Sequence, residues 1–235
     1  MPTLLMRLEA PMQSYGTFGR FGERDTGKEP GKSAVLGLVC SALGIGRSED
    51  ISWLAKFKFG IRADREGIVR NDYHVAGKEG YHRAAGNVER KTAIPTNRYF
   101  LADASFLIGL EIDDIQKLSE IEAVLKNPKW QIYLGKKSFV PSCPVWLKDG
   151  IKDTPLLQSL KEYKYDLKYL REKPNEDSKI KLRYVVDIDA AEGHEITMVS
   201  KVMDVPVSFE QRLFAERQTA TLFFDVNAEE NNEPQ

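Results

Sequence analysis

Two spacings of apolar residues alternate along the chain, and they predict its helices and strands. Intervals of three and four residues predict three helices. The first spans Ser33–Leu43, with Ser33 as its cap. The second begins at Asp113 or Asp114 and ends at Asn127, and the third begins at Pro155. Short apolar or alternating runs predict strands. These strands are Thr3–Leu8, Phe57–Asp64, Arg98–Glu111, Trp130–Leu134, Ile180–Asp187, Glu195–Val207 and Thr219–Val226.

The order of these elements predicts an α+β fold. Strand, helix, strand, long insert, strand, helix and strand follow one another over residues 1–148, which is the order of a ferredoxin-like or RRM-like unit. Residues 149–227 are expected to form a small β-rich part packed on this unit, with a hairpin turn near Glu192-Gly193. The polar residues 228–235 are expected to be disordered.

A loop rich in glycine and cations joins the first strand to the first helix. Glycines let backbone amides approach a ligand closely, and the free amides at a helix amino end favour an anion such as phosphate. Four cations spread along the loop suit a polymeric phosphate backbone. The candidate contacts are Gln13, Ser14, Tyr15, Gly16, Arg20, Arg24, Lys28, Lys32 and Ser33.

This loop departs from the nucleotide-binding P-loop. That motif needs four residues between its first glycine and the final Gly-Lys-Ser/Thr, whereas Gly27–Ser33 has only three. Thr26 stands where the glycine should be, and Glu29 would face the phosphates. An ATPase is therefore disfavoured, and a plain surface loop before a core helix remains the alternative.

The insert over residues 70–98 loses regular periodicity and is too long for an ordinary connection. Its aromatic rings are interleaved with cations, which suits single-stranded RNA because rings stack on bases while cations neutralise phosphates. A mobile loop with incidental aromatics is the alternative. The candidate contacts here are Tyr73, His74, Tyr81, Arg83 and Arg98. A second group of phosphate contacts, equally compatible with a solvated turn, is Lys136, Lys137 and Ser138 after Gly135.

The overall charge hides an uneven distribution. The net charge of −1 argues against a nucleic-acid binder. Residues 1–100, however, hold 16 Lys and Arg against 11 Asp and Glu, whereas the remainder holds 18 against 24. A basic half beside an acidic half suits a subunit that grips RNA on one side and neighbours on the other, although an uneven but ordinary surface gives the same counts.

Several function classes find no support in the sequence. Three histidines form no zinc pattern, and neither a dinucleotide fingerprint nor a nucleophile elbow is present, so we predict no metal and no cofactor. The two cysteines, Cys40 and Cys143, have no redox spacing, which favours a reducing cytoplasm. No apolar run long enough for a membrane span appears.

A family resemblance is carried by several motifs in order over residues 1–148. They are Pro11-Met12-Gln13-Ser14-Tyr15-Gly16, Thr26-Gly27, Lys32-Ser33, Leu36-Gly37-Leu38, Leu43-Gly44-Ile45, Asp72-Tyr73-His74, Ala102-Asp103-Ala104-Ser105-Phe106 and Tyr133-Leu134-Gly135-Lys136-Lys137-Ser138. With them the chain resembles the CasD family of the RAMP superfamily, from type I-E CRISPR Cascade. Beyond Gly150 the resemblance thins to Arg212, Phe214, Ala215 and Arg217.

The resemblance implies a RAMP domain whose 70–98 insert is a protruding thumb. It further implies a non-catalytic scaffold that holds the repeat-derived 5′ handle of crRNA, caps the backbone filament and contacts the large subunit. Target DNA would then be recognised through the guide.

Two other functions stay open. Type I-C relatives cut repeat RNA, and Tyr73, His74, His82 and Lys91 could support such metal-free cleavage here. A purely structural role, with loops that bind protein neighbours, is the other alternative.

Overall fold

The computed structural model describes residues 1–17, 19, 22–77, 79–83, 85–90, 92–169 and 180–226. Strands alternate with few helices along these residues. The strands are β1 (Thr3–Gln13), β2 (Glu23–Arg24), β3 (Lys58–Arg65), β4 (Ile68–Ala76), β5 (Tyr81–His82), β6 (Val88–Glu89), β7 (Ile94–Glu111), β8 (Trp146–Lys152), β9 (Ile180–Asp187), β10 (Met198–Ser208) and β11 (Leu213–Val226). The helices are α1 (Lys32–Leu43), α2 (Ile115–Lys126) and α3 (Leu156–Glu162), with 3₁₀ turns at Ser52–Lys56, Leu167–Tyr169 and Ile188–Ala191.

One mostly antiparallel sheet organises the molecule, in the order β10-β11-β9-β3-β7-β1-β8. Two further strands, β2 and β4, pair with β7 off this path, and β5 pairs with β6 separately. The spine is the β1–β7 pair, which runs from Thr3 opposite Glu111 to Gln13 opposite Leu101. Continuous apolar runs build this spine because both of its faces are covered.

Helices cover the two faces of the sheet with separate apolar clusters. One cluster joins α1 and α2 to alternate residues of the central strands, such as Leu4, Met6 and Phe106. The other joins α3 to the opposite face, where Leu5, Leu107 and Tyr184 lie. Adjacent residues such as Leu4 and Leu5 enter different clusters because side chains alternate across a strand.

The insert over residues 70–98 is more regular than its sequence suggested. Strand β4 pairs with the amino-terminal half of β7, from Ile68 opposite Ala102 to Ala76 opposite Ile94. The short β5–β6 pair follows towards the tip, so the expectation of an irregular loop is wrong. We call the paired stretches Ile68–Ala76 and Ile94–Ala102 the ribbon. Its strand pattern was obscured because many of its residues are exposed on both faces.

Helix α2 confirms the expected boundaries, because the carboxylate of Asp114 accepts a hydrogen bond from the Lys117 amide at 2.9 Å and Asn127 ends the helix. Helix α1 begins one residue before its expected start. Gly31 occupies the N-cap position without a side-chain hydrogen bond, so the expected Ser33 cap is wrong. Gly44, at φ +75°, ends α1 as the pattern indicated.

The segment Trp130–Leu134 forms no strand, contrary to expectation. The amides of Lys129 and Trp130 donate to the carbonyls of Ala42 (2.9 Å) and Ser41 (3.2 Å) at the carboxyl end of α1. Those contacts satisfy the helix end and leave the segment away from the sheet. The edge position beside β1 is taken instead by β8, which begins sixteen residues after Trp130.

The C-terminal strands extend the same sheet. Strand β9 has its expected bounds and pairs with β3, from Gly60 opposite Val186 to Ala63 opposite Arg183. The expected hairpin turn near Glu192 is wrong, because β11 lies between β9 and β10. The true hairpin joins β10 to β11. The tail 228–235 lies outside the described residues.

Candidate nucleic-acid interface

Two of the segments singled out in the sequence pack against each other at the end of β1. The Ser14 amide donates to the carbonyl of Leu134 at 3.1 Å. Gly135 follows at φ +92°, and a Cβ there would lie 1.7 Å from the Ser14 carbonyl oxygen. The loop 135–138 is therefore fixed directly beneath the start of the glycine-rich loop, and only glycine fits at this contact.

Strands β2 and β4 lie on either side of β7 at Arg98. Strand β2 of the glycine-rich loop runs parallel to β7 and places Arg24 beside Arg98. On the other side of β7, Asp72 of β4 is the partner of Arg98. Two arginines from distant parts of the sequence are thus neighbours, with a single carboxylate in register beside them.

Lys136 completes a cationic group that we call the basic cluster: Arg24, Arg98 and Lys136. Burial lowers the pKa of Lys136, the charges of Arg98 and Arg24 lower it further, and Asp72 opposes them. The Lys136 ammonium lies 4.9 Å from the centre of the Phe139 ring. No carboxylate of the described residues forms an ion pair within 4.0 Å of any member of the cluster.

The ribbon carries different chemistry on its two faces, because consecutive residues alternate. Asp72 and His74 share the face of Arg98, and Asp72 Oδ2 lies 2.5 Å from His74 Nε2. Tyr73 lies on the opposite face, where 64% of its surface is exposed. Its ring is available for stacking on a base.

Beyond the ribbon, two other candidates are engaged within the insert. The Tyr81 ring packs over Gly77, where a Cβ would meet Tyr81 Cδ1 at 2.6 Å. Arg83 pairs with Glu89 across the β5–β6 turn. These contacts shape the tip of the insert and occupy the Arg83 guanidinium.

Gln13 and Tyr15 lie inside the protein. Gln13 is fully buried, and its amide donates to the Ala104 carbonyl at 2.8 Å while its Oε1 accepts from the Tyr15 hydroxyl at 2.6 Å. Burial raises the pKa of Tyr15. We therefore do not retain either side chain as an RNA contact.

The amino end of α1, the expected phosphate site, already holds an anion. Asp204 Oδ2 of β10 accepts a hydrogen bond from the Lys32 amide at 2.7 Å. The Lys32 ammonium is buried, where it donates to the Phe57 carbonyl and lies 3.7 Å from Asp187. Burial lowers the pKa of Lys32, and Asp187 opposes that shift. An internal carboxylate thus occupies the helix end where a phosphate was expected, and we do not retain the Lys32 side chain as an RNA contact.

The remaining candidates are buried, accessible, or outside the described residues. Ser14 is mostly buried, and its hydroxyl donates to the Tyr99 carbonyl at 3.1 Å. Arg20 and, for the cleavage alternative, Lys91 lie outside the described residues. Candidates that keep accessible surface near the loop are Gly16, Lys28, Ser33, Lys137 and Ser138.

Sequence reasoning missed two members of this region. Asp72 and Phe139 have no local feature that marks them as site residues. Strand pairing brings Asp72 opposite Arg98. Phe139 directly follows the 135–138 loop, and its amide donates to the Lys136 carbonyl at 2.8 Å. Only the Asp72-Tyr73-His74 motif drew attention to the first.

Neither a metal centre nor a membrane span is found in the part of the chain that the structure describes. There, the His, Cys, Asp and Glu side chains form no group of three or more that could hold a metal ion. None of the helices described is long and apolar enough to cross a bilayer.

Comparison with known proteins gives consistent matches. A family model described as CRISPR-associated protein (Cas_Cas5) matches residues 3–223. The CRISPR system Cascade subunit CasD of Escherichia coli (strain K12) is 32% identical over 155 residues, which is 61% of this chain and 69% of that protein.

Two solved structures match nearly the whole chain. A chain of a CRISPR RNA-guided surveillance complex superposes with a TM-score of 0.80 at 28% identity, covering 99% of this chain and 94% of its own. A structure described as a Cas protein superposes with a TM-score of 0.70 at 38% identity, covering 99% and 98%.

Proposed function

The chain belongs to the Cas5 family of CRISPR-associated proteins, and we propose that it is a non-catalytic RNA-binding subunit of a type I-E surveillance complex. In this role it holds the repeat-derived 5′ handle of crRNA, caps the backbone filament, contacts the large subunit and works in the cytoplasm. The similarity to CasD and to a subunit of an RNA-guided complex supports the assignment. The structural observation that carries it is the convergence of Arg24, Arg98 and Lys136 without ion-pair partners among the described carboxylates.

The positive charges of Arg24, Arg98 and Lys136 repel one another, and a bound anion would reduce this repulsion. Burial lowers the pKa of Lys136, and the charges of Arg98 and Arg24 lower it further. A phosphate between the three side chains would offset their mutual repulsion and raise that pKa again. Contacts of this kind set the position of a nucleic acid, whereas bases carry the sequence information.

The ribbon would act as the thumb of a ferredoxin-like core. The strand order β8-β1-β7-β3, with α1 and α2 on one face, supports such a core. In this proposal the core runs from β1 through β8, and β9 to β11 extend its sheet as the C-terminal part. An RNA strand that bends around the edge strand β4 would meet Arg98 on one face and Tyr73 on the other.

Salt dependence of binding tests the proposal. Each phosphate contact with single-stranded RNA contributes a slope of about 0.7 to the fall of log affinity with log salt. Three contacts predict a slope near 2, so a fourfold rise in salt weakens binding roughly twentyfold. Lys136→Ala and Arg98→Ala should each remove about 0.7 from the slope. Lys148→Ala, an exposed lysine of β8, is the matched control and should change nothing.

Two results would contradict the holder role. One is an equal effect of Lys148→Ala and Lys136→Ala on affinity for repeat-derived RNA. The other is a failure to load this RNA both as the free chain and together with its partner subunits.

The structure also favours one second candidate, a metal-independent repeat endoribonuclease. His74 and Asp72 form a close pair on the face of Arg98. In this alternative His74 would act as the base, and the nearby cations would stabilise the scissile phosphate. A single-turnover reaction with repeat RNA in EDTA separates the two functions. The holder leaves bound RNA intact, whereas a discrete cut that is lost in His74→Ala would establish the nuclease.

A further inference from the structure

Two arginines of the C-terminal strands hold the end of the glycine-rich loop. Arg183 of β9 contacts the loop directly at Glu29, and Arg217 of β11 acts through Asp204, which accepts a hydrogen bond from the Lys32 amide. Both side chains are largely buried, with 16% and 11% of their surface exposed. Neither belongs to the basic cluster.

Arg183 joins the glycine-rich loop to the root of the ribbon. Its Nη1 lies 3.0 Å from Glu29 Oε2 of the loop. Its Nε and Nη2 donate to Glu66 Oε1 and Oε2 at 2.7 and 2.6 Å, and Glu66 lies in the turn between β3 and β4. A planar guanidinium bound in this two-pronged way holds both partners in fixed directions.

Arg217 holds the point where the loop enters α1. Its Nε and Nη2 donate to Asp204 Oδ1 and Oδ2 at 2.6 and 2.9 Å, and its Nη1 donates to Asp187 Oδ1 at 2.6 Å. Asp204 in turn accepts the Lys32 amide. A Cβ on Gly31 would lie 3.0 Å from Asp204 Oδ2, so the loop end is pressed against this carboxylate.

We infer that Arg183 and Arg217 are positioning residues for RNA binding, which rests on the function proposed above. Their carboxylate partners occupy the guanidinium groups and leave them unsuited to a phosphate. The two arginines instead fix the loop that carries Arg24 and the ribbon that carries Arg98. Arg24 and Arg98 are thereby held in register by β9 and β11, which carry no member of the basic cluster.

Conservative variants separate positioning from contact. Arg183→Lys and Arg217→Lys keep the charge but lose the planar fork. We expect each to weaken repeat-RNA binding at least threefold with the slope of log affinity against log salt unchanged, because no phosphate contact is lost. Lys136→Ala in the same series should lower that slope. Unaltered affinity in a folded variant, or a slope reduced as in Lys136→Ala, would overturn the inference.

Hydrogen exchange of the free chain gives a readout that needs no RNA. Arg183→Lys should speed amide exchange in residues 22–31 and 66–76 while β1 and α2 stay protected. Unchanged exchange in both segments would overturn the positioning role. A wild-type chain that binds no RNA, either alone or together with its partner subunits, refutes the proposed function instead, and the exchange result still decides whether Arg183 fixes the loop.

A charge-swapped double variant distinguishes loss of the Arg183–Glu66 ion pair from misfolding. Arg183→Glu alone should lose RNA affinity, and Arg183→Glu combined with Glu66→Arg should recover at least half of the loss in log affinity. A folded double variant that binds as weakly as the single one would count against the Arg183–Glu66 link.

Discussion

Replacing Gly135 by alanine should break the contact on which the basic cluster depends. Two costs add at this position. The backbone φ of +92° disfavours any side chain, at about 1–2 kcal/mol, and the new Cβ would lie 1.7 Å from the Ser14 carbonyl oxygen. Relieving that overlap requires a backbone shift that costs about 1–3 kcal/mol more. We therefore expect Gly135→Ala to lower the free energy of unfolding by about 2–5 kcal/mol.

A control variant isolates the second cost. Gly193 has φ +79°, but a Cβ there would meet no atom within 4 Å, so Gly193→Ala should lose only the backbone term. Urea unfolding of both variants measures the difference, and RNA titration should show that Gly135→Ala alone weakens binding, because Lys136 moves with the loop. Equal destabilisation by the two variants would refute the steric argument, and full RNA affinity in Gly135→Ala would refute its link to the cluster.

Three further predictions concern charge and capping. Asp72→Asn should tighten repeat-RNA binding by about two- to fivefold in a fluorescence titration, because it removes the one carboxylate in register with Arg98. RNA affinity should fall as the pH rises through the lowered pKa of Lys136, since RNA favours the charged amine. Lys136→Arg should abolish this fall in titrations up to about pH 10, because arginine stays charged. Asp114→Ala should cost about 1 kcal/mol of unfolding free energy, measured by urea, and leave RNA binding unchanged.

Elements whose signals are local could be predicted closely from the sequence. Helix α2 carries its own start at Asp114 and its own stop at Asn127, and strand β9 carries an uninterrupted apolar alternation. Such signals act within a few residues, so their meaning does not depend on distant partners. The same reasoning failed for Trp130–Leu134, whose composition suits a strand equally well. There, the carbonyl groups at the carboxyl end of α1 lack donors within the helix, and the amides of Lys129 and Trp130 donate to them and keep the segment out of the sheet.

The sequence predicts an irregular loop where the ribbon forms, for a related physical reason. Periodicity reveals a strand only when one face is buried, and much of β4 is exposed on both faces. Its pairing with β7 is then fixed by the continuation of a strand that is buried further along, from Ala104 to Leu110. Half of an eighteen-residue strand thus determines the structure of the other half.

The candidate site shows why cations cannot be sorted by local sequence alone. Lys32 and Lys136 both follow a glycine, and both precede a serine directly or after one residue. In the structure Lys32 is buried beside Asp187, with its amide bound to Asp204, both from the distant C-terminal strands, whereas Lys136 stands beside two arginines. Among the described residues, the fold supplies an ion-paired counter-charge to Lys32 but not to Lys136, and this difference makes Lys136 the better candidate for binding an anion. That supply comes from residues more than a hundred positions away, so it becomes visible only after the strands have paired.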